Sequence, residues 1–171
     1  MASGISGSER SFRDNEIIVS KTDLQGRMTY CNDVFIRISG YAEAELIGKP
    51  HNMIRHPAMP RCVFKLLWDT ISQGRELFAY VVNRCKNGDY YWVYAHVTVD
   101  LDDNGDMVGY HSNRRSPDRK AINVIEPLYA RLLEEEGRHT DRKAGIDAAT
   151  NLLLSILAEK GVSYEQFVFS L

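Results

Sequence analysis

The spacing of apolar positions changes several times along the chain, and each change marks an element. Residues 16–20 are short and β-rich. Asp23-Leu24-Gln25-Gly26-Arg27 has turn composition, and Met28-Thr29-Tyr30 resumes an extended pattern, which predicts a hairpin. Asn32 or Asp33 can cap the next helix, which carries Val34, Phe35 and Ile38 on its apolar side and stops at Gly40. A helical turn over 42–46, a break at Gly48-Lys49-Pro50 and a short helical segment over 51–55 follow. A longer helix is predicted over 61–73, with Phe64, Leu67, Trp68 and Ile71 at spacings of three and four and Gly74 as its stop. Three strands are then expected, over 77–86, 90–101 and 106–115, joined by turns at Asn87-Gly88 and Asn104-Gly105, where Asn-Gly tips favour tight hairpins. The order is an α+β arrangement: a five-stranded antiparallel sheet with short helices on one face.

After Ser116-Pro117 the period becomes helical throughout. Ile122, Ile125, Leu128 and Leu132 repeat by three and four, with Pro127 expected to kink the helix or divide it in two. A second helix is expected over 140–160, with Gly161 as its stop. Ser163-Tyr164-Glu165-Gln166 has the form of a capping box opening a last short helix. The chain therefore divides into an N-terminal arm over 1–14, expected to be flexible, a sheet-forming core over 15–116 and a helical tail over 117–171.

Alternation along the strands assigns faces. Leu77, Ala79, Val81 and Asn83 share one side, as do Tyr91, Val93, Ala95, Val97 and Val99 of the next strand. The opposite side of that strand carries Tyr90, Trp92, Tyr94 and His96. So large an aromatic patch is expected to be covered by the tail, the N-terminal arm or a second copy of the chain.

Composition narrows the function. Of 171 residues, 44% are hydrophobic and 26% charged, enough for an ordinary core. A net charge of -2 gives no reason to expect nucleic acid as a partner. No apolar run approaches the roughly 20 residues that cross a bilayer, and residues 1–13 lack the apolar stretch of a signal peptide, so a cytoplasmic protein without direct membrane insertion is expected. Cys31, Cys62 and Cys85 are odd in number with no Cys-x-x-Cys pair, which reads as reduced thiols. Asp102-Asp103-Asn104-Gly105-Asp106 reads as a solvated turn, because it lacks the Glu and the helix of a calcium loop.

Thr22 to Phe35, Ser39-Gly40-Tyr41 and Glu45 to Pro50 resemble the opening of PAS domains. The ten-residue run His51 to Pro60 resembles the signature of the flavin-binding PAS domain of bacterial aerotaxis receptors. Asn83 to Val93 resembles that family's later motif, and Glu126-Pro127-Leu128-Tyr129 its continuation. Ala58 stands where the motif often has Asp, and Leu77 where a receptor version has Trp. Membrane-bound receptors of this group carry a transmembrane segment and a signalling coiled coil, and this chain shows neither. It is more similar to stand-alone cytoplasmic PAS partners of two-piece energy-taxis receptors.

The resemblance implies non-covalent FAD, sensing of redox or oxygen status, and a protein partner such as a membrane-bound chemotaxis-type transducer, with a homodimer formed through the sheet face or helices. A flavin pocket needs apolar walls, amides at the ring's polar edge and cations for the diphosphate. Met53, Trp68, Leu77, Val81 and Tyr91 can supply walls. Asn32, Asn52 and Asn83 can supply amides, and Arg55, His56, Arg61 and Arg84 charge. Asn83 resembles a flavin-contacting Asn of light-oxygen-voltage domains, whereas His51 stands at their photoactive Cys and Val93 at their second Asn, which implies a flavin pocket without adduct photochemistry.

The candidate cofactor residues are thus Asn32, His51, Asn52, Met53, Arg55, His56, Trp68, Asn83 and Tyr91. Several carry a plainer reading. Asn32 can be only a helix cap, Arg55 a surface cation, His51 and His56 loop histidines, and Asn83 a turn-adjacent amide. A haem-binding gas sensor with His51 or His56 as axial ligand, a flavoenzyme, and a cofactor-free PAS dimerisation module remain alternatives. No nucleophile–base pair is evident in the sequence, so no catalysis is expected.

Overall fold

A computed structural model describes residues 7–171 of the chain. Strands β1 (Ile18–Asp23), β2 (Met28–Cys31), β3 (Leu77–Arg84), β4 (Tyr90–Leu101) and β5 (Met107–Arg115) form one antiparallel sheet in the order β2-β1-β5-β4-β3. Helices α1 (Asp33–Ser39), α2 (Glu43–Leu46) and α3 (Arg61–Ile71), with a 3-10 turn at His51–Ile54, lie between β2 and β3 in sequence. The tail comprises α4 (Arg119–Gly137), α5 (Arg142–Lys160) and α6 (Tyr164–Phe169).

Local chemistry accounts for the boundaries. Asn32 caps α1 by accepting the Phe35 amide at 3.1 Å, and Gly40 ends the helix in the left-handed conformation that glycine adopts without strain. Ser163 and Gln166 complete the capping box of α6. Pro127 sits inside α4, so the expected division into two helices is not found. The buried stripe of Ala121, Ile122, Ile125, Leu128, Tyr129 and Leu132 spans both sides of the proline, and packing along that stripe offsets the one backbone bond the ring removes.

Two hydrophobic layers sandwich the sheet. On the inner face, α1 and its neighbours pack Phe35, Ile38, Leu46 and Ile54 against Ile18, Tyr91, Val93 and Ala95. On the outer face, the tail packs Ile122, Ile125, Tyr129 and Leu132 over Tyr80, Val82 and Trp92. The Tyr129 hydroxyl donates to the Tyr80 carbonyl at 2.6 Å. Of the three candidate covers for the aromatic face, the chain's own tail takes that position. The tail also turns around the β3 edge: α6 packs on β3, and α5 on α3. An otherwise open edge strand is thereby shielded. Homodimerisation through this sheet face would require the tail to leave it.

The first six residues of the expected arm lie outside the described residues. Residues 8–12 are docked rather than loose. Ser8 and Arg10 exchange backbone bonds with Tyr90, Arg10 also pairs with Asp89 at 3.0 Å, and Phe12 is buried in the inner core. The arm was expected to be loose because its composition is small and polar. The reason it docks is the free start of β4, which offers backbone partners that composition does not show.

Candidate ligand-binding site

The pairing of the strands builds a cavity on the inner face. Ser20, Ser112, Val97 and Leu77 are directly opposite one another across β1, β5, β4 and β3, and so are Ile18, Arg114, Ala95 and Ala79 in the next row. The small side chain of Ala95, paired with Arg114, leaves space in front of the guanidinium. α3 closes this space with Phe64, Leu67, Trp68 and Ile71, and the segment after β2 adds His51, Asn52 and Arg55. The empty space, counted out through the open mouth and including the solvent there, is about 780 Å³.

The sequence-assigned residues divide. Asn83 lines the cavity and is buried, with Val81 on the same wall, so the assigned strand parity holds. His51, Asn52, Arg55 and Trp68 also line it, Trp68 half-open at the rim with its ring edge-on to Tyr110 at 5.5 Å.

Asn32 does not line it. Its amide accepts from Val19 and Phe35 and donates to the Ile17 carbonyl, so in this structure it serves as the helix cap. Met53 packs into the inner core behind the wall. His56 is buried against Tyr90, 5.9 Å between ring centroids, with Nδ1 accepting the Ala58 amide. Tyr91 is fully buried beside Asn83, and its hydroxyl has no hydrogen-bond partner among the described residues. Burial raises its pKa. Arg61 and Arg84 are exposed and do not reach the cavity.

The residue that sequence reasoning missed is Arg114. It is 2% exposed, its guanidinium lies 4.7 Å over the Phe35 ring, and Nη2 donates to the Ser20 hydroxyl. Nε and Nη1 have no partner among the described residues. Burial pushes its pKa down to about 10, and no carboxylate is among the residues that line the cavity. Buried guanidinium groups ordinarily find an acceptor for every donor. The period-two run Tyr110, Ser112, Arg114 is the signal in the sequence that turns this side chain inward.

Ser20 bridges Arg114 to His51, whose Nε2 is 3.1 Å from the hydroxyl. The Ser20 hydroxyl accepts from Arg114, and its own proton is free to be donated to His51 Nε2 when that nitrogen is the unprotonated one of a neutral imidazole. Burial, reinforced by the Arg114 charge, holds the His51 pKa down to about 3. Such a histidine is too weak a base to activate Ser20 at neutral pH.

The arrangement can therefore do one thing well. It can hold a flat apolar body between α3 and the sheet, with acceptor atoms turned to Arg114 and donor or acceptor atoms turned to Asn83. The residues present fit a flavin ring: Arg114 has free donors, Asn83 has both functions, and Leu67, Trp68, Ile71 and Val97 provide faces.

Comparison with known proteins agrees with this architecture. The aerotaxis receptor of Escherichia coli (strain K12) is 44% identical over 119 residues, covering 70% of this chain and 23% of the receptor. The nitrogen fixation regulatory protein of Klebsiella pneumoniae is 27% identical, covering 68% of this chain and 22% of that protein. The chain thus spans under a quarter of the length of these relatives. Among solved structures, the LOV domain of the blue-light photoreceptor Aureochrome1 superposes with a TM-score of 0.54 at 22% identity, covering 71% of this chain and 84% of that one. A PAS domain from Colwellia psychrerythraea gives 0.51 at 25% identity, covering 59% and 86%. The PAS fold profile matches residues 28–114, from β2 to the end of β5. On this match and this topology, the chain belongs to the PAS family.

Proposed function

We propose that this PAS domain binds FAD non-covalently, senses redox or oxygen status, and passes its state to a protein partner in energy taxis. The observation that carries the reading is the buried Arg114 with two unpartnered donors facing an apolar cavity. A ligand that fits needs a flat ring with acceptors along one edge. When bound, a flavin supplies a redox centre whose ring nitrogen changes from hydrogen-bond acceptor to donor on reduction. The Asn83 amide carries both functions and can turn to suit either state. In this reading Arg55, at the cavity wall, serves the phosphate-bearing arm of a dinucleotide.

The 44% identity to the aerotaxis receptor supports the taxis role, and the partner in this reading is a membrane-bound chemotaxis-type transducer. Among the described residues no helix is long and apolar enough to cross a membrane, which is consistent with a cytoplasmic setting in which the partner provides the membrane link. We read the domain as a sensor without catalysis, since the one Ser–His contact among the described residues has a histidine too acidic to act as base. The haem alternative is weaker. His51 Nε2 is taken by Ser20, and His56 lies off the cavity.

A visible spectrum of the purified chain tests this. Flavin gives bands near about 370 and 450 nm, whereas haem gives a Soret band. Asn83→Leu keeps similar volume and removes donor and acceptor, at about 1–3 kcal/mol, so flavin affinity falls roughly tenfold to hundredfold in a folded protein. A colourless wild-type protein that takes up no FAD on titration would refute the reading.

A further inference from the structure

The helix that walls the cavity is capped by the tail. α3 begins after Pro60, and no side chain at that position satisfies its first amides. The Cys62 amide instead donates to Oε1 of Glu136, 74 residues away at the end of α4, at 2.8 Å. The carboxylate therefore sits where a helix N-terminus favours negative charge. The same residue is the point where α5 crosses α4. Gly145 is buried there, and a Cβ added to it would lie 2.6 Å from the Glu136 carbonyl oxygen. Arg55, on the cavity wall, stacks 4.3 Å over Phe64 of α3 and donates to the Met59 carbonyl at 2.8 Å just before α3. Burial pushes Arg55 down, and Glu136 is the strongest charge pushing it back up.

From this junction we infer that Glu136 is a positioning residue that latches the tail to the cavity wall, so that a ligand ordering α3 also tightens α4 and α5. The reasoning is linkage. A ligand between α3 and the sheet stabilises the one placement of α3 in which the Cys62 amide meets Glu136, and the docked tail in turn favours that placement. The inference names the element that carries the cavity's state outward; its ligand arm rests on the flavin reading, while the latch itself does not.

Hydrogen exchange on the full chain, with and without FAD, tests both parts. Glu136→Ala removes charge and acceptor, so exchange in residues 61–64 and 142–149 should accelerate roughly tenfold or more, the expected effect of losing a charged hydrogen bond. Glu136→Gln keeps an acceptor and should fall between Ala and wild type. Gly145→Val forces α5 off α4 and should reproduce the Ala result without touching the carboxylate. Wild-type exchange in Glu136→Ala overturns the latch whether or not a ligand binds. In the ligand arm, FAD should slow exchange over 142–149 in wild type, and by less in Glu136→Ala. If the flavin band shows FAD bound and the tail does not respond, the coupling is wrong and the flavin reading stands. If FAD does not bind at all, the flavin reading fails, and the three variants alone decide the latch.

Discussion

Replacing Arg114 with Met should stabilise the ligand-free protein and weaken flavin binding, two effects of opposite sign from one substitution. The guanidinium is 2% exposed, and burial pushes its pKa down to about 10. At 1.36 kcal/mol per pH unit, that depression from its ordinary value corresponds to roughly 3 kcal/mol of unrelieved desolvation. Methionine relieves it and fills similar space beside Phe35. Against this stand the bond to Ser20, worth about 1 kcal/mol, and the stacking on Phe35, worth about 1 kcal/mol. The balance is a gain of about 1 kcal/mol, or roughly 2–4 °C in Tm for a chain of this size. In the loaded protein the sign reverses, because a ligand acceptor loses its charged donors. Such bonds are worth about 1.5–3 kcal/mol, so FAD affinity should fall by roughly tenfold to more than hundredfold. Thermal melts of flavin-stripped protein and FAD titrations measure the two effects separately. A variant that melts several degrees below wild type yet binds FAD as tightly would make Arg114 an ordinary core residue and refute the argument.

Trp92→Glu places a carboxylate under α4 beside Tyr129, at a cost of about 3–5 kcal/mol, so the tail should undock and become protease-sensitive; unchanged protection would mean that the tail does not depend on this face. Blue light should form no cysteinyl adduct, because Cys31, Cys62 and Cys85 are buried away from the cavity, and burial pushes the Cys62 thiol up to about 12 and that of Cys85 to about 11; an absorbing species near about 390 nm that vanishes in Cys62→Ala would contradict this. The fold binds His51 neutral, so its contribution is fully present above pH 6.5 and is lost as pH falls toward 3; His51→Gln should flatten the stability curve between pH 6.5 and 4.5, and parallel curves for the two proteins would count against it.

What the sequence determined by itself was the part governed by local rules. Period-two and period-three-to-four spacing, Asn-Gly turns and the Ser163–Gln166 box placed the five strands and the last helix within a few residues, because those signals act within one element. Strand parity placed Asn83 and Val81 on the cavity wall for the same reason. The motif around His51 pointed to the family before any geometry was known. Tertiary structure decided what depends on a partner distant in sequence. Asn32 became a cap rather than a ligand because its amide met Ile17 and Val19. Pro127 stayed inside one helix because a continuous apolar stripe had a sheet to lie on. Arg114 became the central donor of the cavity only when Ala95, 19 residues earlier in the chain, came alongside it. A charge is unsatisfied only relative to its surroundings, and those surroundings are assembled by strand pairing.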